Sequence, residues 1–231
     1  MNVDKFVENE HVWDAIAESF DETRRKPWKQ CIQFINKLPE ESVVADIGCG
    51  NGRHLIHCAN RCLNVIGVDI SLNLLKITGE KTRGKRNVEL VHADALLLPF
   101  KDNCIDHLLF TATLHNIRER KNRINALLEV KRVLKPNGTA LISVWSRWQD
   151  RFIGYFLKKI VLPKQGEEFG DITVMWRKND LKVPRFYHLY SKHEFVADIK
   201  KAGFSIKKVD FVKIASKRLK DNYFALVEKI N

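Results

Sequence analysis

The stretch Val43-Val44-Ala45-Asp46-Ile47-Gly48-Cys49-Gly50-Asn51-Gly52 decides the fold. A short apolar strand runs into a turn rich in glycine, and a helical stretch from Arg53 to Asn60 follows. A strand entering a helix through such a turn brings backbone close to a ligand at the first crossover of a parallel sheet. The spacing is not that of the dinucleotide fingerprint: the third glycine comes one residue early, and Arg53 takes its place. Asp46, two positions before the first glycine, would face a pyrophosphate badly and suits a cationic ligand better.

Outward from that loop the chain alternates. Asn64 to Asp69 forms a second strand, with Ser71 as N-cap of the next helix. Val88 to His92 forms a third strand, Ile105 to Thr111 a fourth and Thr139 to Trp145 a fifth. A basic helix is predicted from Arg120 to Leu134, stopped by Lys135-Pro136-Asn137-Gly138. Apolar strands alternating with helices imply an α/β, doubly wound, mostly parallel sheet. Before it, Val12, Ile16 and Phe20 recur at helical spacing, and Pro27 is expected to open a second helix carrying Cys31 and Ile35. After it, residues 146–190 break the alternation. A helix capped by a Ser191–Glu194 box and two closing strands, near Ser205–Val212 and Asn222–Glu228, complete the pattern. The expected layout is a single domain over 1–231: a helical lid (1–40), a core (41–145), an insertion (146–190), then a closing helix and antiparallel hairpin (191–231).

At 231 residues, 45% apolar and 29% charged, the chain has a globular composition. No apolar run approaches the roughly 20 residues of a membrane span. Met1-Asn2-Val3-Asp4-Lys5 lacks the layout of a signal peptide. Five cysteines without framework spacing fit reduced thiols, so a cytoplasmic location is expected. His54, His57, Cys58 and Cys62 lie close together, but there is no CxxC pair and no second half-site, so no metal is expected. The net charge of +12 favours a polyanionic partner. Residues 181–231 hold twelve Lys or Arg against five acids, and 117–135 hold seven against two. The competing reading is a solvated basic surface.

Three carboxylates stand at successive strand ends: Asp46, Asp69 and Asp94. Asp69 is placed for ribose hydroxyls and Asp94 for an adenine amino group. With Gly48, Cys49, Gly50, Asn51, Gly52, Ile70, Ala95 and Thr111 they outline a site for an adenosine bearing a positive charge and no phosphate. S-adenosylmethionine fits that description, and residues 40–145 resemble class I methyltransferases.

Two further motifs are more specific. Thr23-Arg24-Arg25-Lys26-Pro27-Trp28 and Arg185-Phe186-Tyr187-His188-Leu189-Tyr190 resemble the T-R-Y-K-P-W and R-Y-Y-H-L-Y segments of the tRNA wobble-uridine carboxymethyl methyltransferases. Leu114-His115, Trp176 and Ala202-Gly203-Phe204 agree, while His115-Asn116-Ile117 replaces the family's His-His-Trp and Arg25 its tyrosine. The resemblance implies methyl esterification of 5-carboxymethyluridine in the tRNA anticodon stem-loop. It also implies a heterodimer with a small zinc-binding activator, docked by strand addition at 205–212 or near Val88.

Esterifying a carboxylate needs orientation more than a general base, because the nucleophile is already ionised. Arg24 and Arg185 are candidates to hold the carboxylate or nearby phosphates. His115 is a candidate to hydrogen-bond the base or carboxylate, and Tyr187 and Trp28 to stack a splayed-out base. Packing alone is the competing reading for His115, Tyr187, Tyr190 and Trp28. The rival functions are a small-molecule methyltransferase of the quinone or sterol type and a methyltransferase-like RNA-binding module without turnover.

Overall fold

A computed structural model describes residues 3–162 and 166–230, and side chains from Glu10 onward. The ends of the expected 1–231 domain and residues 163–165 of the insertion lie outside the described residues.

Two helices, α1 (Val3–Thr23) and α2 (Lys29–Ile35), precede the first strand, β1 (Val43–Ile47). Then come α3 (Leu55–Arg61), β2 (Asn64–Asp69), α4 (Leu72–Lys81), β3 (Val88–His92) and β4 (Ile105–Thr111). A 3₁₀ turn (Leu114–Asn116), α5 (Arg120–Val133) and β5 (Leu134–Trp145) follow. The inserted region contributes α6 (Ile153–Val161), β6 (Asp171–Trp176) and β7 (Val183–His188), and the chain closes with α7 (Lys192–Lys201), β8 (Ser205–Val212) and β9 (Asn222–Glu228).

Seven strands form one sheet in the order β3-β2-β1-β4-β5-β9-β8, in which only β9 runs against the rest. The order reverses between β1 and β4, the switch point at which ligands bind in open α/β sheets. β6 and β7 pair as a separate antiparallel hairpin. Both faces of the sheet are covered. Ala45 and Ile47 of β1 pack with Leu127, Val130, Phe195 and Ile199 on one side, and Val44 with Cys31, Ile35, Leu55 and Cys58 on the other. That alternation follows from the two-residue period of a strand. It also turns Asp46 toward the α2 and α3 side. Cys58 and Cys62 are buried in this second layer, which accounts for them as packing.

Four local expectations are corrected. Pro27 does not open α2, which begins at Lys29 after an N-cap Trp28. The helix after the glycine loop begins at Leu55, because residues 51–54 form turns. Lys135–Gly138 lie inside β5, where Asn137 takes a positive φ and its amide is met by the Lys229 carbonyl. The Ser191 hydroxyl does accept the Glu194 amide at 3.2 Å, but the Glu194 carboxylate turns away to His188 and Arg147, so only half of the box forms. Among the described residues no helix is long and apolar enough to cross a membrane.

Candidate active site

A cavity opens at the carboxyl ends of β1, β2 and β4, roofed by α1 and closed on one side by the β6–β7 hairpin. The roof is tied down by polar contacts. Asp14 accepts from the Ser71 hydroxyl and from the Asn73 amide at 3.0 Å, and Trp176 donates its indole N–H to Ser19 at 2.8 Å. Asn51 donates to Asp21 at 2.7 Å and to the Arg24 carbonyl at 3.0 Å, so its side chain holds the lid instead of reaching for a ligand.

The glycine loop spends its own amides. Gly48 and Cys49 both donate to the Val68 carbonyl, at 2.7 and 2.9 Å, Gly50 donates to Asp69 at 2.7 Å, and Gly52 to the Cys49 carbonyl at 3.0 Å. Four amides that could have cradled a phosphate are therefore engaged, which argues against a dinucleotide at this turn. Gly48 has φ +71° and approaches Thr113 so closely that a Cβ would lie 2.1 Å from its Oγ1.

Most of the expected cofactor residues meet here: Gly48, Cys49, Gly50, Asn51, Asp69, Ile70, Asp94, Ala95 and Thr111 line the cavity. Gly52 does not; its Cβ position abuts Thr78, so it serves the turn. Asp46 is also not part of the wall. It lies buried beneath the loop, and both of its carboxylate oxygens lack a hydrogen-bond partner. Burial pushes its pKa up to about 7, against the opposing pull of Arg53. An unpartnered buried carboxylate is costly and favours a cation nearby. Asp69 accepts from Ser71 N–H at 2.9 Å as well as from Gly50, and burial raises it to about 6. Asp94 is half-buried and accepts the Leu96 amide at 2.9 Å, leaving acceptor capacity for an amino group. Carboxylate acceptors, a buried negative field and no open amide nest fit S-adenosylmethionine, an adenosine with a sulfonium and an ammonium.

Arg24, His115, Arg185 and Tyr187 line the same cavity. Arg185 is 5% exposed, its guanidinium carbon lies 4.5 Å from the Trp176 ring centroid, and its Nε has no partner. Burial lowers the pKa of both Arg185 and Arg24, and Arg151 adds to the local positive field. His115 accepts the Trp145 amide on Nδ1 at 3.4 Å, which leaves the proton on Nε2. Burial first, then His188 and Arg185, push its pKa down to about 3, so the ring is neutral.

The packing gives Tyr187 and Trp28, the two rings expected to stack a base, neighbours of their own. Tyr187 is stacked on Trp145 at 5.0 Å and 18°, with His115 and Arg185 beside it, so the ring is a wall. Trp28 is held by Phe224, His54 and the Arg53 guanidinium, 4.5 Å from its ring.

Trp13, Arg53, His54, Asn116 and Trp145 also line the cavity, and the sequence reading gave them no role. His54 accepts the Trp28 amide on Nε2 at 3.2 Å and faces Thr111 at 3.4 Å, linking lid to sheet. Its helical spacing to Cys58 hid that part.

Among the described residues Glu168, His188 and Glu194 are grouped closely enough to suggest a metal. Both nitrogens of His188 instead meet carboxylates, Asp171 at 2.7 Å and Glu194 at 2.8 Å, and Glu168 pairs with Arg123 at 2.6 Å. The burial that opposes charging His188 is outweighed by these partners, which hold its pKa up. The network anchors the end of β7, and with it Arg185 and Tyr187.

Sheet order and site together define a class I methyltransferase. A family profile described as "Methyltransferase domain" matches residues 45–142. The chain is 30% identical, over 96% of its length and 97% of the relative's, to the tRNA (carboxymethyluridine(34)-5-O)-methyltransferase of Schizosaccharomyces pombe. It belongs to that family. It is also 38% identical to mouse ALKBH8 of the same description, over 62% of its own length but only 21% of that protein. It thus spans about a fifth of that larger relative. Among solved structures, a SAM-dependent methyltransferase of Methanosarcina mazei shares the fold at TM-score 0.72 and 20% identity, covering 89% of this chain and 99% of that one. A methyltransferase in complex with the Haloferax volcanii Trm112 activator does so at TM-score 0.69 and 14% identity, covering 97% of each.

Proposed function

We propose that this chain methylates the carboxylate of 5-carboxymethyluridine at the wobble position of tRNA, using S-adenosylmethionine. The observation that carries this reading is a cavity of opposite polarity. An unpartnered Asp46 carboxylate lies beneath the glycine loop, and Arg185 stands in the wall with an unpartnered buried Nε. The field of Asp46 would favour a cationic methyl donor, and an anionic acceptor would meet Arg185.

S-adenosylmethionine supplies an electrophilic methyl on a sulfonium. Asp69 would hold the ribose, Asp94 the adenine amino group, and Asp46 would favour the positive charge through its field. Arg185 and Arg24 would orient the acceptor carboxylate, and Arg185 is suited to bidentate contact. His115, neutral with its proton on Nε2, would donate a hydrogen bond; no base is required of it. Held in line by Arg185 and Arg24, a carboxylate oxygen of the acceptor would be placed to take the methyl that the cofactor would supply.

The chain is read as one catalytic unit: lid 1–40, core 41–145, insertion 146–190 and closing segment 191–231. Five free cysteines suit a reducing cytoplasm. A small zinc-binding activator would dock at a free sheet edge. Of the two, β8 is guarded by Lys207 and Lys208, ion-paired to Glu228 and Asp210, so β3 is the edge we favour. Radiolabelled S-adenosylmethionine, incubated with the chain and tRNA lacking the ester, tests the reading. A base-labile methyl ester on 5-carboxymethyluridine supports it, and label confined to another nucleoside refutes it.

A further inference from the structure

A second, wider cleft adjoins the cavity and shares Arg24, Trp28, Arg53 and Trp145 with it. It holds about 880 Å³, against about 140 Å³ for the cavity, so it has room for a chain and not only for a nucleoside. One wall is the turn Arg24-Arg25-Lys26, and the floor carries Arg151. The other wall is the loop joining β8 to β9, whose residues 213–220 include Lys213, Lys217, Arg218 and Lys220 and no acid.

That loop is built, not slack. Asp221, 2% exposed, accepts the amides of Ile214 at 2.7 Å, Ala215 at 2.7 Å and Ser216 at 2.6 Å. Asp150 accepts the next three, Lys217 at 2.7 Å, Arg218 at 2.8 Å and Leu219 at 2.9 Å. Two carboxylates thereby fix six consecutive amides, and the four basic side chains are left exposed. The third acid of the cleft, Glu22, is paired with Lys178 at 3.2 Å. The basic side chains of the cleft, Arg25, Lys26, Arg151 and Lys217, outnumber its three acids, whose oxygens are engaged by backbone amides or by Lys178.

We propose that this cleft, between the Arg24–Lys26 turn and the pinned 213–220 loop, binds the phosphate backbone of the RNA strand flanking the modified nucleotide. The inference rests on the function proposed above and extends it. A nucleotide placed at Arg185 can continue into this cleft, which shares Arg24, Trp28, Arg53 and Trp145 with the cavity, and its phosphates then meet exposed Lys and Arg on both sides. The pins hold the loop backbone in place, so that only the side chains need to be ordered on binding.

The test is salt-dependent binding of tRNA carrying 5-carboxymethyluridine to the full chain and to the charge reversals Lys217→Glu/Arg218→Glu and Arg25→Glu/Lys26→Glu, with S-adenosylmethionine affinity as the control for folding. Each pair should weaken tRNA binding by roughly tenfold or more at low salt and flatten the log–log salt slope by about 1 to 2. Wild-type affinity and slope in both pairs, with the cofactor still bound, overturn the cleft while leaving the proposed function standing. Poly-glutamate competing as well as tRNA overturns the assignment to RNA. Failure of the unaltered chain to bind or methylate tRNA, with and without the small zinc-binding activator, would instead remove the proposed function itself.

Discussion

The amide of Gly50 donates to Oδ2 of Asp69 across 2.7 Å, tying the glycine loop after β1 to the carboxyl end of β2. Asp69 therefore has two tasks: it fixes the loop, and it offers its remaining lone pairs to the cavity. Asp69→Ala should remove both and weaken S-adenosylmethionine binding roughly 10- to 100-fold, the scale of a lost charged hydrogen bond. Isothermal titration checks this, and tRNA affinity should stay near wild type. Unchanged cofactor affinity would contradict the assignment.

Cofactor binding should be linked to protons. Asp46 is raised from an ordinary 3.8 to about 7 and Asp69 to about 6, in both cases chiefly by burial. Between 3.8 and about 7 the folded chain without ligand holds a proton on Asp46 that the unfolded chain gives up. This contribution to stability is full below the ordinary value and is lost as pH rises through about 7. A cationic ligand favours the ionised form, so binding below pH about 7 should release a proton, and affinity should rise with pH up to that point. Titration in buffers of different ionisation enthalpy measures the release. Asp46→Asn should remove its upper step.

The sheet and the positions of Asp46 and Asp69 were legible because strands buried on both faces are continuous apolar runs with punctuated ends, while Asp94 follows the edge strand β3, whose short alternating run Val88–His92 still marks its end. Which way each side chain faces was harder. Asp46 falls on the Val44 side of β1, so it works from beneath the loop, a consequence of register that spacing to Gly48 does not show. Trp28 and Tyr187 belong to motifs of the right type, yet Arg53, Phe224 and Trp145 cover them through contacts distant in sequence. Trp145 itself went unnoticed because the last residue of an apolar strand looks like core. The committed acids Asp150 and Asp221 could not be told from surface charges without their amide partners.

His115 should not shape the pH dependence of turnover. Its pKa of about 3 keeps it neutral, and the acceptor carboxylate is already ionised. With saturating cofactor and tRNA, kcat should be flat across the ordinary histidine range near 6.5. His115→Asn should lower kcat without adding a titration step. A wild-type ascending limb near 6.5 that vanishes in the variant would make His115 a base and contradict the mechanism.

Arg185 should tolerate no replacement by lysine. Its guanidinium lies over Trp176 at 4.5 Å and beside Tyr187 at 5.1 Å, a planar fit that an ammonium does not reproduce. Both Arg185→Lys and Arg185→Ala should reduce kcat/KM for tRNA by roughly 100-fold, about 2.7 kcal/mol, with cofactor affinity retained. Full activity in Arg185→Lys would mean that charge alone suffices.

The most direct measurement is transfer of label from S-adenosylmethionine to tRNA that carries free 5-carboxymethyluridine, run with and without a small zinc-binding activator, with nucleosides identified by mass. A base-labile methyl ester on that nucleoside is the predicted result. Bound cofactor with no transfer to tRNA in either arrangement would contradict the account and point to a small-molecule acceptor.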